Sequence, residues 1–234
     1  MKFASRYTGK ELLDNDNIPL EDIEQNMKEL NTINTYLGGH SITLKGFKQL
    51  ATGKKSLTVC EIGCGGGDNL AAIYAYSIKE NIELKIIGVD LKEACIQFAR
   101  QRKILPVSTN FITSDYRQVQ FDEKPDIIFS SLFCHHFSNK ELLKQFEWMR
   151  EKSKIGFFVN DLQRHPLAYY SIKFITSIFS ASYLVKNDAP ISVLRGFKKT
   201  ELENISLKSN ALQVKIHWQW AFRYLLVYKH AGSK

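Results

Sequence analysis

The stretch Thr58-Val59-Cys60-Glu61-Ile62-Gly63-Cys64-Gly65-Gly66-Gly67-Asp68 decides the fold. A short apolar run empties into glycines, which leave the backbone bare where side chains would keep a ligand away. Glycine takes positive φ cheaply and presents uncovered N–H groups, so Gly63, Gly65 and Gly67 can make a tight turn into a helix beginning near Asp68. A pyrophosphate-binding G-x-G-x-x-G would need its third glycine at position 68, where the Asp68 carboxylate would repel phosphate. That mismatch argues against a nicotinamide-dependent oxidoreductase. The spacing acid-x-G-x-G-x-G, with Glu61 and Asp68 nearby, suits a nucleoside whose tail carries positive charge.

Strand and helix alternate outward from this loop. Leu70, Ala71, Ile73 and Tyr74 give a helical apolar pattern, and Leu84-Lys85-Ile86-Ile87-Gly88-Val89 reads as a second strand closing on Asp90. A carboxylate there can accept from both hydroxyls of a ribose; singly, it would more often be a solvated strand cap. Phe111-Ile112-Thr113-Ser114-Asp115 is a third strand ending in an acid. Asp126-Ile127-Ile128-Phe129-Ser130-Ser131 is a fourth, followed by Leu132-Phe133-Cys134-His135-His136-Phe137. The joint order of these strand ends favours a ligand over chance caps, and a sulfonium nucleoside, S-adenosylmethionine, fits all of them.

Over roughly residues 56–230 the chain resembles the class I, Rossmann-like methyltransferases that use S-adenosylmethionine. The resemblance implies an α/β fold: a seven-stranded, mostly parallel sheet with an antiparallel last strand, N-terminal helices and a helical insertion after strand five. It implies a cofactor site made of Glu61, Gly63, Cys64, Gly65, Gly67, Asp90, Leu91, Ser114, Asp115, Tyr116, Ser131 and His135. Asp90 would hold the ribose and Asp115 the adenine amino group, and the residues after strand four would lie beneath the methionine part. More narrowly, Leu30 to His40 and Asn160-Asp161-Leu162-Gln163-Arg164-His165 resemble bacterial methyltransferases of polyketide, aromatic-pigment and quinone-like biosynthesis.

The 234 residues, 44% of them hydrophobic, can bury one core without staples. A single domain is expected, with a helical cover over 1–55, a cofactor-binding core over 56–161, a helical substrate lid over 162–198 and a closing helix and hairpin over 199–234. Cys60, Cys64, Cys95 and Cys134 contain no C-x-x-C pair, so neither disulfides nor a zinc site is expected, nor any other metal. Met1 to Tyr7 carries no apolar signal core, which makes a reduced, cytoplasmic setting the expectation.

Ahead of the loop, Ile23, Met27, Leu30, Ile33 and Leu37 give helical periodicity over 20–37, and a second helix is expected over 42–50. His40, after Gly38-Gly39, is a candidate for touching substrate, although a helix-end cap is the simpler role. In the insertion, Ala168, Ile172, Ile175, Phe179 and Tyr183 share one helical stripe, opposed by Lys173, Ser177 and Ser180. Six of the 19 residues from 167 to 185 are Ser, Thr or Lys, which marks an amphipathic cover and not a membrane span. The closing segment reads as a helix over 199–207 and strands over 212–218 and 224–228.

Methyl transfer from a sulfonium is an in-line displacement, so catalysis rests on positioning and, for a phenol or carboxylate acceptor, on control of its proton. His136 is the candidate nearest the sulfonium, and His165 the candidate base with Asp161 as its orienter. Arg164, Tyr169 and Arg195 are candidate substrate contacts, each with a plain structural alternative. The acceptor expected is a hydrophobic small molecule, O-methylated on a phenolic or polyketide- or quinone-like compound. The rivals are a non-catalytic accessory or regulatory protein that binds the cofactor, and an RNA methyltransferase.

Charge bears on partners. Residues 1–150 hold 19 Lys and Arg against 19 Asp and Glu, while residues 151–234 hold 13 against 5, which gives the whole net charge of +8. The cations form no block, and Ser130-Ser131-Leu132-Phe133 lacks the Asn/Asp-Pro-Pro-aromatic pattern of base amino methylases, so nucleic acid is not the expected partner. An acyl carrier protein or an anionic membrane surface fits an apolar lid better.

Overall fold

The computed structural model describes residues 3–15, 17–211 and 213–232. Its centre is β1 (Ser56–Ile62), which pairs in parallel with β2 (Glu83–Asp90) on one side and β4 (Ile127–Ser131) on the other. β3 (Asn110–Thr113) extends the sheet beyond β2, and β5 (Gly156–Leu162) extends it beyond β4. β7 (Arg223–Lys229) runs antiparallel to β5, and β6 (Lys215–Gln219) closes the far edge antiparallel to β7. The order is β3-β2-β1-β4-β5-β7-β6, which is the mixed seven-stranded sheet anticipated from the sequence.

Strand residues alternate between two cores with period two. Cys60, Ile62, Ile128, Phe157, Val159 and Leu226 meet Leu142, Phe146 and Met149 of α5 (Asn139–Lys152) and Leu202 and Ile205 of α8 (Lys199–Lys208). On the other face Leu57, Val59, Ile127, Phe129, Phe158 and Leu225 meet α2 (Gly39–Ala51) and α3 (Asp68–Lys79). α1 (Leu20–Tyr36) packs Ile23 and Met27 against Cys95 and Phe98 of α4 (Glu93–Gln101). Helices on both faces explain why the central strands read as apolar runs.

Three expectations are corrected. α2 begins at Gly39 and not at Ile42, because Gly38 takes φ 75° and its carbonyl accepts from Ile42 N. The insertion is two helices, α6 (Pro166–Phe179) and α7 (Tyr183–Arg195), broken at Ser180-Ala181-Ser182. Ser182 caps α7 by accepting from Val185 N at 3.3 Å. Glu29 of α1 accepts from Ala181 N, Ser182 N and the Ser180 hydroxyl. Local hydroxyl and carboxylate partners thus replace the helical bonds that the periodicity implied. The strand expected from Leu212 starts at Lys215, and Leu212, like Met1 and Lys2, lies outside the described residues.

β5 can pair with β7 only because Gly156 lacks a side chain: a Cβ there would sit 2.1 Å from Tyr228 O. Gly156→Ala should therefore lose about 2–3 kcal/mol in urea unfolding, since backbone would have to move. Gly53→Ala, with φ 76° but nothing within 4 Å, should lose only the roughly 1 kcal/mol of its left-handed conformation.

Candidate active site

The glycine turn is built by backbone bonds to β2. Gly63 N and Cys64 N both donate to Val89 O, at 2.8 and 3.0 Å, and Gly67 N returns to Cys64 O at 2.9 Å. Gly63 stands at φ 69°, and a Cβ on it would lie 2.3 Å from the Phe133 ring, so only glycine admits the loop that follows β4. Asp90 closes the arrangement: its carboxylate accepts from Gly65 N and Lys92 N, both at 2.9 Å. The acid at the end of β2 is thus fixed beside the turn, and burial holds its pKa up. Met27 of α1 roofs Gly65, with its sulfur 3.3 Å from where a Cβ would be.

Glu61 gives the test of fit for a cationic nucleoside. It is fully buried, and its Oε1 accepts from Asn69 at 3.0 Å, while its Oε2 has no hydrogen-bond partner among the described residues. Burial pushes its carboxyl well above the usual range; the Asn69 bond opposes this, and the charges of Asp68 and Asp90 add to it. A cationic group near this buried carboxyl would oppose the effect of burial and a phosphate would add to it, so the site suits an ammonium-bearing tail better than a phosphate. Asp68, expected to help there, is spent on Arg102, which also donates to Gly66 O.

The other expected cofactor residues divide. Leu91 is 71% exposed at the β2 end, Ser114 N donates to Asp90 O, and Ser131 is buried with its hydroxyl accepting from Asn160. Cys64 is buried against the turn. Asp115 differs from expectation: both carboxylate oxygens are bound by the Arg117 side chain and Oδ1 also by Arg117 N, so Arg117 would have to release it for an adenine amino group. Tyr116 also departs, since its ring is buried edge-on among Phe133, Phe137 and Trp148. The hydrophobic effect claims the ring for the core and leaves only its backbone toward the site.

His40 does not face a substrate. Its Nδ1 and Nε2 lie 2.9 Å from the side-chain oxygens of Asn69 and Asn31, which ties α2 to α3 and α1. Arg164 is equally committed: its guanidinium grips Glu201 in two-pronged fashion at 2.7 and 3.0 Å and donates to Gly196 O at 2.6 Å. Tyr169 is buried against Phe3 and Tyr170. Arg195 donates to the carbonyls of His135 and His136 and to Asp14, holding the loop after β4 in place of any acidic substrate.

The largest change concerns the histidines. Asp161 orients His135, not His165: Oδ1 meets His135 Nδ1 at 2.7 Å and Oδ2 accepts from His135 N at 3.1 Å. Burial alone would lower His135, but the charges and hydrogen bonds of Asp161 and Glu11 outweigh it and push it up to about 9. His165 instead caps α6, its Nδ1 accepting from Leu167 N at 3.2 Å, and stacks on Phe222 at 5.1 Å. A neutral imidazole has one lone pair to give, and that one is used, so His165 is withdrawn as a base. His136 remains beside the turn, partly exposed, and its charge is felt at Asp90.

Sequence reasoning missed the partners that complete this cluster. Glu11 lies 3.6 Å from His135 Nε2 and 3.8 Å from His136 Nε2, and Asp14 lies 3.4 Å from His136 Nδ1. Glu11 precedes and Asp14 ends a single 3-10 turn, Leu12–Asp14, too short to show periodicity. Arg6 adds bonds to the carbonyls of Arg195 and His135, at 2.8 and 2.9 Å. A charged turn near an N-terminus reads as a solvated tail; only the presence of several buried ionic groups elsewhere hints at a partner.

Because Arg164 has a structural place, Arg164→Met should lower stability by about 3 kcal/mol in thermal unfolding. The folded variant should keep its affinity for the S-adenosyl cofactor.

Residues 59–152 match the family described as a methyltransferase domain. No curated protein matches the chain. Among solved structures, the plantazolicin methyltransferase BpumL bound to S-adenosylhomocysteine superposes with a TM-score of 0.66 at 18% identity, over 90% of each chain. Magnesium protoporphyrin IX methyltransferase from Synechocystis, also with S-adenosylhomocysteine, gives 0.51 at 14% over 93% of this chain and 90% of its own. A putative O-methyltransferase from Nostoc punctiforme gives 0.60 at 16% over 87% of this chain and 60% of its own. At such identities the likeness is one of fold, and it places the matched domain in the sheet and glycine turn described above. Residues 59–152 are thus a methyltransferase domain, set in the Rossmann-like sheet and glycine turn of the class I fold, with S-adenosylmethionine as the methyl donor that fits that turn.

Proposed function

We propose that this methyltransferase acts on a hydrophobic small molecule and O-methylates a phenolic or polyketide- or quinone-like compound. The observation that carries the substrate class is an apolar rim beside the carboxyl ends of the strands. Phe222 stacks on His165 and meets Trp220 at 5.9 Å, and Tyr169 meets Tyr170 at 5.1 Å. From there Leu167, Tyr170, Phe174 and Ile178 run along α6 at helical spacing, each more than half exposed, and Trp220 is 67% exposed. Scattered exposed apolar residues need no explanation, whereas a connected set at the mouth of a site favours an apolar ligand. In this reading α6 and α7 form the lid, with Lys173 on the stripe's flank where an anionic surface or carrier would meet it. One of the neighbours named above is a putative O-methyltransferase, which supports an oxygen acceptor.

The cofactor supplies an electrophilic methyl on a sulfonium. The chain supplies the rest. Gly63, Gly65 and Gly67 give the bare turn, Asp90 would hold the ribose, and Glu61 would meet the cationic tail. Ser131 and His135 hold the floor at the β4 end, where Asp161 and Arg195 lock the loop's orientation. His136 is the more exposed member of the pair, and in this reading it would meet the acceptor. Alignment in a dry cavity can account for several kcal/mol of the barrier.

Two outcomes check this. Methyl-labelled cofactor offered with phenols, quinols, fatty acids, an acyl carrier protein and RNA should label the phenols or quinols, and His136→Ala should slow that labelling about a hundredfold; label entering only RNA or only the carrier protein would overturn the acceptor class. Glu61→Gln should behave differently with pH. The folded wild type keeps the Glu61 proton above the ordinary value of 4.5 while the unfolded chain loses it, so wild-type stability falls as pH rises beyond that point. The variant lacks this fall and should gain on the wild type in thermal melts from pH 5 to pH 8, yet bind S-adenosylhomocysteine about tenfold more weakly.

A further inference from the structure

We infer that Glu11, His135 and His136 bind one divalent transition-metal ion. The Glu11 carboxylate faces the Nε2 atoms of both imidazoles, His135 at 3.6 Å and His136 at 3.8 Å. One ligand atom from each of the three lies within 4.8 Å of the others. Hydrogen-bonded N and O atoms would draw in to about 2.9 Å. Bonds of about 2.0–2.2 Å from a shared metal set neighbouring ligand atoms roughly 3–4 Å apart. The spacing found is too wide for direct bonds and right for an intervening cation.

The surroundings of the three groups match that use. Metal-bound histidines present one nitrogen to the ion and donate the other N–H to a carboxylate. His135 does this with Asp161 at 2.7 Å, and His136 Nδ1 faces Asp14 at 3.4 Å, so both rings have a carboxylate behind them and Nε2 in front. Ser192 donates to Glu11 Oε1 at 2.8 Å and sets the carboxylate's angle. Charge counts the same way. Four carboxylates gather here, Glu11, Asp14, Asp161 and Asp188, the last accepting from Leu12 N and Leu13 N at 2.7 and 2.9 Å. Two guanidiniums, Arg6 and Arg195, and the His135 ring face them, and a bound cation would take over the charge that a proton on His135 supplies without it.

Two imidazoles and one carboxylate suit Zn²⁺, Fe²⁺, Mn²⁺ or Co²⁺, whereas Ca²⁺ and Mg²⁺ favour all-oxygen sets. Three protein ligands leave coordination positions for water or an acceptor oxygen. The ligands come from two places: Glu11 from the segment bound to α7 through Tyr7 N and Leu194 O at 3.1 Å, and the histidines from the loop after β4. The ion would therefore pin the N-terminal segment over the site.

The test uses the full chain, stripped with a chelator, exchanged into metal-free buffer and titrated with Co²⁺. One equivalent should bind at micromolar concentrations or below and give the visible absorption of a four- or five-coordinate ion. Glu11→Gln and Asp161→Asn should each weaken Co²⁺ at least about tenfold. If either variant fails to fold by circular dichroism, the wild type decides alone: Zn²⁺ should move the Nε2 resonances of His135 and His136 in nitrogen NMR. No bound Co²⁺, Glu11→Gln binding as well as the wild type, or Zn²⁺ moving only other histidines would each overturn the site. Thermal stabilisation by S-adenosylhomocysteine, measured in parallel, reads the methyltransferase assignment separately, since metal uptake needs no methyl donor.

Discussion

The carboxylate of Asp161 is the charge about which the site is arranged. At the end of β5, 1% exposed, it accepts from the His135 ring, from His135 N and from Leu162 N, and its burial would be prohibitive without them. In return it offsets buried cations on three sides. His135 rises because of it, and the Arg223 guanidinium, buried and pressed down to about 10 by desolvation, is partly sustained by it. Arg6 feels the same charge. The register of β4 against β5, with Ser131 beside Asn160, brings this acid within reach of the loop that carries both histidines.

How much of this was legible depended on range. The glycine turn, Asp90 and the strand order were readable because each is a local pattern with a fixed period or a special backbone angle, and Gly63 at φ 69° carries its own signature. The residues after β5 were misread for the opposite reason. Arg164 and Arg195 are long polar groups whose partners, Glu201 and the His136 carbonyl, are chosen by tertiary packing, and His165 is taken up by a local helix cap on Leu167 N. Asp161 was expected to orient His165, whereas the sheet register pairs it with His135 after β4. Glu11 and Asp14 carried no legible signal, since a three-residue turn has no period.

The same distinction changes the meaning of the basic C-terminal half. Its arginines, Arg164, Arg195 and Arg223, are all buried and engaged within the chain. The outward field of that half therefore comes from lysines, among them Lys173, Lys186, Lys198 and Lys199. Lysine is a compact, strongly hydrated point charge, apt for general attraction and poor at the two-pronged recognition that arginine gives phosphates. Such a surface draws anionic partners near without selecting among them, which leaves selection to the apolar rim.

Glu29 belongs to the same helix as Met27, two residues along. One end of this pair holds the corner between α6 and α7 by three hydrogen bonds, and the other covers Gly65. The corner of the lid and the covering of the nucleoside turn are thus carried by one helix, two residues apart, so a change that shifts α1 along its axis reaches both at once.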